Sequence, residues 1–75
     1  MRCHVYILRK DEARFLEVLG NRSPDETLCL GINQSDYLFK DLSDDVIIAL
    51  KLALNAIIIQ EISEEYYNLL SHPWH

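Results

Sequence analysis

Glycine is scarce in this sequence, which holds only Gly20 and Gly31. Phosphate-cradling loops need several glycines at fixed spacing so that the backbone can approach the ligand. Nothing in the chain therefore points to a nucleotide or to any other cofactor. Cysteine is as sparse, with Cys3 and Cys29 alone, too few for a disulfide-rich scaffold. Both lie in apolar runs that read as strands, where a cysteine serves as a small buried hydrophobe. A bridge between the two is the alternative that the sequence leaves open.

Positive charge is also thin. Seven Lys and Arg stand against twelve Asp and Glu, for a net charge of -5, and only Lys40 and Lys51 follow Arg22. Binding a phosphate backbone takes several clustered cations, so direct nucleic-acid binding is not expected. A basic partner suits this balance better than an acidic one. Solubility alone would also account for the acidic excess.

Apolar runs of membrane length are missing as well. A bilayer core needs about 20 consecutive apolar residues. The longest candidate, VIIALKLALNAIII over 46–59, contains Lys51 and Asn55 and is bracketed by Asp44, Asp45, Gln60 and Glu61, so no membrane span is expected. The opening MRCHVYIL has too short an apolar stretch for a secretory signal. The expected location is the cytoplasm.

What is present is globular composition: 75 residues, 49% apolar and 25% charged. No repeat, low-complexity tract or linker divides the chain. It reads as a single small domain over 1–75, with 72–75 (HPWH) as a candidate flexible tail.

Residues 2–8, RCHVYIL, alternate Cys3, Val5 and Ile7 against His4, Tyr6 and Leu8, and predict a strand covered on both faces at its far end. Residues 10–19 switch to helical spacing and stop at Gly20. NRSPDE is turn chemistry. A second strand is expected over 27–32, with Gly31 marking a bulge or close backbone approach, then a third, less distinct one in YLFKDL, joined by NQSD as a hairpin. A short helical turn is the alternative for 37–42. Ser43, Asp44 and Asp45 form a helix start, and a long helix is expected from about 43 to 61. Ser63, Glu64 and Glu65 repeat the signal, so a second helix begins there or the first bends and continues, ending at Pro73. The expected fold is α+β, in the order β-α-β-(β)-α-α, with a two- or three-stranded sheet packed on a long apolar C-terminal helix.

That helix poses the functional question. Between 46 and 59 only Lys51 and Asn55 are polar, and two or three thin strands with one short helix offer little to wrap it. A fully internal helix is one solution. The preferred one is coverage by a second copy of the chain in a two-fold homodimer, through Ile47, Leu50, Leu54 and Ile58. Tyr67 and Trp74 are further contact candidates, because aromatic residues anchor protein interfaces.

No catalytic constellation is visible. The carboxylate pairs Asp11–Glu12, Asp44–Asp45 and Glu64–Glu65 each sit at a helix start, which explains them structurally. Cys3 and His4 at one end and His72 and His75 at the other carry zinc's preferred donor types. However, adjacent strand residues point to opposite faces, and Pro73 interrupts a regular helix between the two histidines. The sequence thus reads as a non-enzymatic acidic protein-interaction module, acting as regulator, adaptor or inhibitor, with a basic nucleic-acid-handling protein as a candidate target. A small zinc protein built on the terminal Cys and His residues is the alternative.

Overall fold

The alternation of β1 (Cys3–Leu8) places Cys3, Val5 and Ile7 on one face, where all three are buried. The computed structural model describes residues 1–71, with the backbone alone at positions 29 and 30. After β1 a 3-10 turn at Arg9–Asp11 leads into α1 (Glu12–Leu19). Gly20 ends α1: its φ of 65° is one that L side chains rarely adopt, and its N–H donates to the Leu16 carbonyl at 3.1 Å.

β2 (Glu26–Leu30) and β3 (Gln34–Phe39) follow as a hairpin, closed by the Gly31 N–H bonded to the Gln34 carbonyl at 2.8 Å. That same oxygen would lie 3.2 Å from a Cβ at position 31, a close approach that favours glycine. The third strand thus starts three residues earlier than YLFKDL suggests. Residues 40–42 leave the sheet, and the register of β2 against β3 shifts between Thr27 and Cys29.

α2 spans Asp44–Ala53 only. The long helix expected over 43–61 is not formed: Leu54 turns extended (φ -126°, ψ 114°), and β4 (Ile58–Glu61) takes up the remainder. A helix over the whole stretch would run about 28 Å, overshooting a six-residue strand of about 20 Å. Breaking it lets two β-branched residues, Ile58 and Ile59, occupy extended backbone, which suits them better than a helix. It also supplies β1 with a second neighbour. α3 (Glu64–Ser71) is a separate helix, and the Ser63 hydroxyl accepts the Tyr66 N–H at 3.1 Å, the N-cap bond its sequence promises. Ser43 occupies the equivalent place at α2 without making a side-chain cap bond.

The sheet is four-stranded and antiparallel throughout, in the order β2-β3-β1-β4. It is therefore wider than the two or three strands expected. Two interleaved β-α-β units with this order make the split, ferredoxin-like arrangement, which hosts many unrelated functions and by itself supports none. α1 and α2 pack together on one face. There Phe15 stacks on Tyr37 at 5.0 Å between ring centroids and meets Phe39 edge-on at 6.3 Å. Cys3, Val5, Ile7, Leu19, Leu42, Val46, Ile47, Leu50 and Leu54 complete that core. The Glu12 carboxylate ties the start of α1 to β3 by accepting from the Tyr37 hydroxyl at 3.1 Å and from Ser35 at 3.4 Å.

Candidate interaction surface

The other face of the sheet carries no part of α1 or α2. Strand register arranges it in rows. Glu26, Leu38, His4 and Gln60 lie side by side across the four strands, and the next row holds Asp36, Tyr6 and Ile58. Leu8 and Gln34 follow. Leu38 is wholly buried and His4 is 5% exposed, yet neither belongs to the core beneath α1 and α2. The cover is α3. It starts beyond the end of β4, is held there by an Arg2–Glu64 ion pair at 3.7 Å, and packs against β2 at the opposite edge with Tyr67 buried. Burial and the nearby carboxylates of Asp25 and Glu26 push the Tyr67 hydroxyl pKa up, against a lowering influence from Arg2.

β1 is thus covered on both faces at its beginning rather than at its far end. Leu8 at the far end is exposed. His4 and Tyr6 stack at 4.1 Å, and Tyr6 Oη lies 3.2 Å from His4 Nδ1 in a hydrogen bond whose donor depends on the imidazole tautomer. His4 Nε2 is buried with no partner among the described residues. Burial lowers the His4 pKa, with Asp36 pulling weakly the other way, so the imidazole is neutral at physiological pH.

Below α3 no described residue covers the face. A hollow of about 120 Å³ is lined by Tyr6, Ile7, Leu8, Gln34, Ala56 and Ile58. Ile58 is 54% exposed, and Tyr66 and Leu69 on α3 also reach solvent. Asp36 borders this region, half-buried, its Oδ1 accepting from Gln34 Nε2 at 2.9 Å.

The topology also sorts charge. β2 and α2 start, and β3 and β4 end, at the same end of the sheet where α3 begins. That end gathers Asp25 and Glu26, Asp41, Asp44 and Asp45, and Glu61, Glu64 and Glu65, eight of the twelve acidic residues, all exposed. Arg2, Arg22, Lys40 and the terminal amine are the positive groups there. The amine pairs with Asp41 at 3.0 Å, and Asp25 accepts the Lys40 backbone N–H. Asp44, Asp45, Glu61 and Glu65 have no ion-pair partner among the described residues.

Of the interface residues expected from sequence, Ile47, Leu50 and Leu54 lie in the chain's own core and Tyr67 lies on the buried side of α3, whereas Ile58 faces solvent. The fold absorbs most of the apolar surplus by itself. The apolar surface left on α2 is Ile48 and Leu52, the latter 81% exposed. Trp74, His72 and His75, and with them the HPWH tail, lie outside the described residues. Cys3 and His4 point to opposite faces, as expected. Cys3 is a free thiol, fully buried, and burial raises its pKa, which opposes the thiolate that nucleophilic or metal chemistry needs. Among the described residues no group of three or more His, Cys, Asp or Glu side chains could hold a metal ion, and no helix is long and apolar enough to cross a membrane.

Sequence reasoning missed the gathering of carboxylates, because they come from five separated segments that only strand order brings together. The alternation of His4 with Tyr6 and Leu8 puts the three on one face, but nothing in the sequence marks His4 as the one that is buried there. No protein-family model, no curated protein and no solved structure matches the chain.

Proposed function

We propose that the chain is a non-enzymatic interaction module that regulates, adapts or inhibits a basic protein by binding it through the acidic end of the sheet. The observation that carries this reading is the placement of eight exposed carboxylates at one end, most without an ion-pair partner among the described residues. Such a surface attracts a positively charged partner, speeds its encounter and repels nucleic acid. Supporting the non-catalytic part, the Cys3 thiol is enclosed and the His4 imidazole lies on the other face of the strand, so the two do not form a nucleophile and base pair. A cytoplasmic location fits the free Cys3 thiol.

Self-association belongs to the same proposal. Ile48 and Leu52 stand one turn apart on the outer surface of α2, and a two-fold homodimer through this strip would cover them.

The test is a paired capture from host extract, using the wild-type chain and a variant carrying Asp44→Asn, Asp45→Asn, Glu64→Gln and Glu65→Gln. A basic protein held by the wild type at low salt, released as salt rises and lost by the variant supports the proposal. Capture that is equal for both chains removes it.

A further inference from the structure

We infer that the half of the sheet face away from α1 and α2 that no described residue covers is a docking groove for an arginine-bearing segment of the basic partner. The Asp36 carboxylate receives the guanidinium, and the hollow lined by its neighbours Tyr6 and Gln34 receives an adjacent aliphatic side chain. This deepens the proposed function, on which it rests for the charge of the partner, and adds a contact separate from the acidic end.

Asp36 has one described hydrogen bond, from Gln34 to Oδ1, and no cation beside it among the described residues. Its Oδ2 is left for an incoming donor. Because Asp36 is half-buried, a cation arriving there meets a carboxylate less screened by water than one on an open surface. The ring of Tyr6, directly across the strand pair, adds an aromatic surface on which a guanidinium can lie. Arginine fits better than lysine, since its planar fork can bond the carboxylate while stacking on the ring. The apolar floor of Leu8, Ala56 and Ile58 leaves room for one aliphatic side chain next to that arginine. Charge argues against a second copy in this groove, because a chain of net charge -5 brought face to face with itself across a two-fold axis sets Asp36 towards Asp36.

The probe is a hexapeptide of alternating arginine and leucine, titrated into the isotopically labelled full chain while backbone amide resonances are followed. Saturable shifts at Tyr6, Leu8, Gln34, Asp36 and Ile58 are expected. Asp36→Asn, which keeps the size of the half-buried side chain and its acceptor for Gln34, should weaken binding about ten-fold with the spectrum outside the groove unchanged, as should replacing arginine with uncharged citrulline. Absence of saturable shifts in this group, or shifts indifferent to Asp36→Asn, overturns the groove. Shifts confined to residues 25–26, 41–45 and 61–65 overturn it too while leaving the acidic-end reading intact. Groove shifts without any extract partner sensitive to the four-carboxylate variant leave the groove standing and remove the broader proposal. Shifts of the groove residues on concentrating the chain alone assign the groove to a second copy and overturn the inference.

Discussion

His4 and Tyr6, two positions apart on the face of β1 away from α1 and α2, stack at 4.1 Å and share a hydrogen bond of 3.2 Å, yet only Tyr6 reaches solvent. The pair straddles the margin of α3. One ring helps seal the interior beneath the helix, and the other forms the edge of the open groove.

The buried imidazole makes stability depend on pH with a definite sign. Burial lowers the folded-state pKa of His4 below its ordinary 6.5, so the unfolded chain takes up the proton first. The stabilisation is complete above that value and is lost as pH falls through it towards the folded pKa. Asp36 is the group that tempers the loss. Urea denaturation at about pH 7.5 and about pH 5.5 should show a drop for the wild type that is smaller in His4→Leu. An identical drop in both chains would assign the pH dependence to the carboxylates.

α3 is held chiefly by Tyr67. Tyr67→Ala should cost about 3 kcal/mol in denaturant unfolding. Tyr66→Ala, one residue away and half exposed, should cost under about 1 kcal/mol.

On α2 the core and surface positions separate just as sharply. Leu50→Ala, at a fully buried site, should cost about 3 kcal/mol whatever the oligomeric state. Leu52→Asp should leave monomer stability within about 0.5 kcal/mol. In light scattering across a dilution series, Leu52→Asp should convert a dimer of the 8.8 kDa chain to monomer.

Gly20→Ala tests backbone conformation alone. A Cβ there meets nothing within 4 Å, yet φ is 65° with ψ at -119°. The substitution should still destabilise, by about 1–3 kcal/mol, through strain in a region that favours glycine.

Much of the fold was legible where local chemistry is unambiguous. The β1 alternation, the stop at Gly20, the hairpin glycine and the Ser63 cap all follow from side chains acting on their own backbone. Residues 54–61 were not legible in the same way. Their apolar run satisfies both a helical and a two-residue period, and Leu50 and Leu52 favour the former. The decision lies with β1, a distant strand that needs a second edge partner, and with the length of sheet that a helix can span. Reading the run as one helix then created an apparent excess of uncovered apolar surface, from which the interface at Ile47, Leu50 and Leu54 followed. Once the run divides into α2 and β4, those three residues have an intramolecular place. The acidic end was hidden for a related reason, since Asp44–Asp45 and Glu64–Glu65 explain themselves locally as helix starts and only topology sets them beside each other and beside Asp25 and Glu26.

The acidic end of the sheet is the proposed recognition surface. Amide hydrogen exchange on the complex formed with a captured basic partner tests it most directly. Protection gained over 25–26, 41–45 and 61–65, and weakened by salt, is the expected result. Protection confined to the Ile48–Leu52 surface of α2, with those acidic segments exchanging as in the free chain, would contradict it.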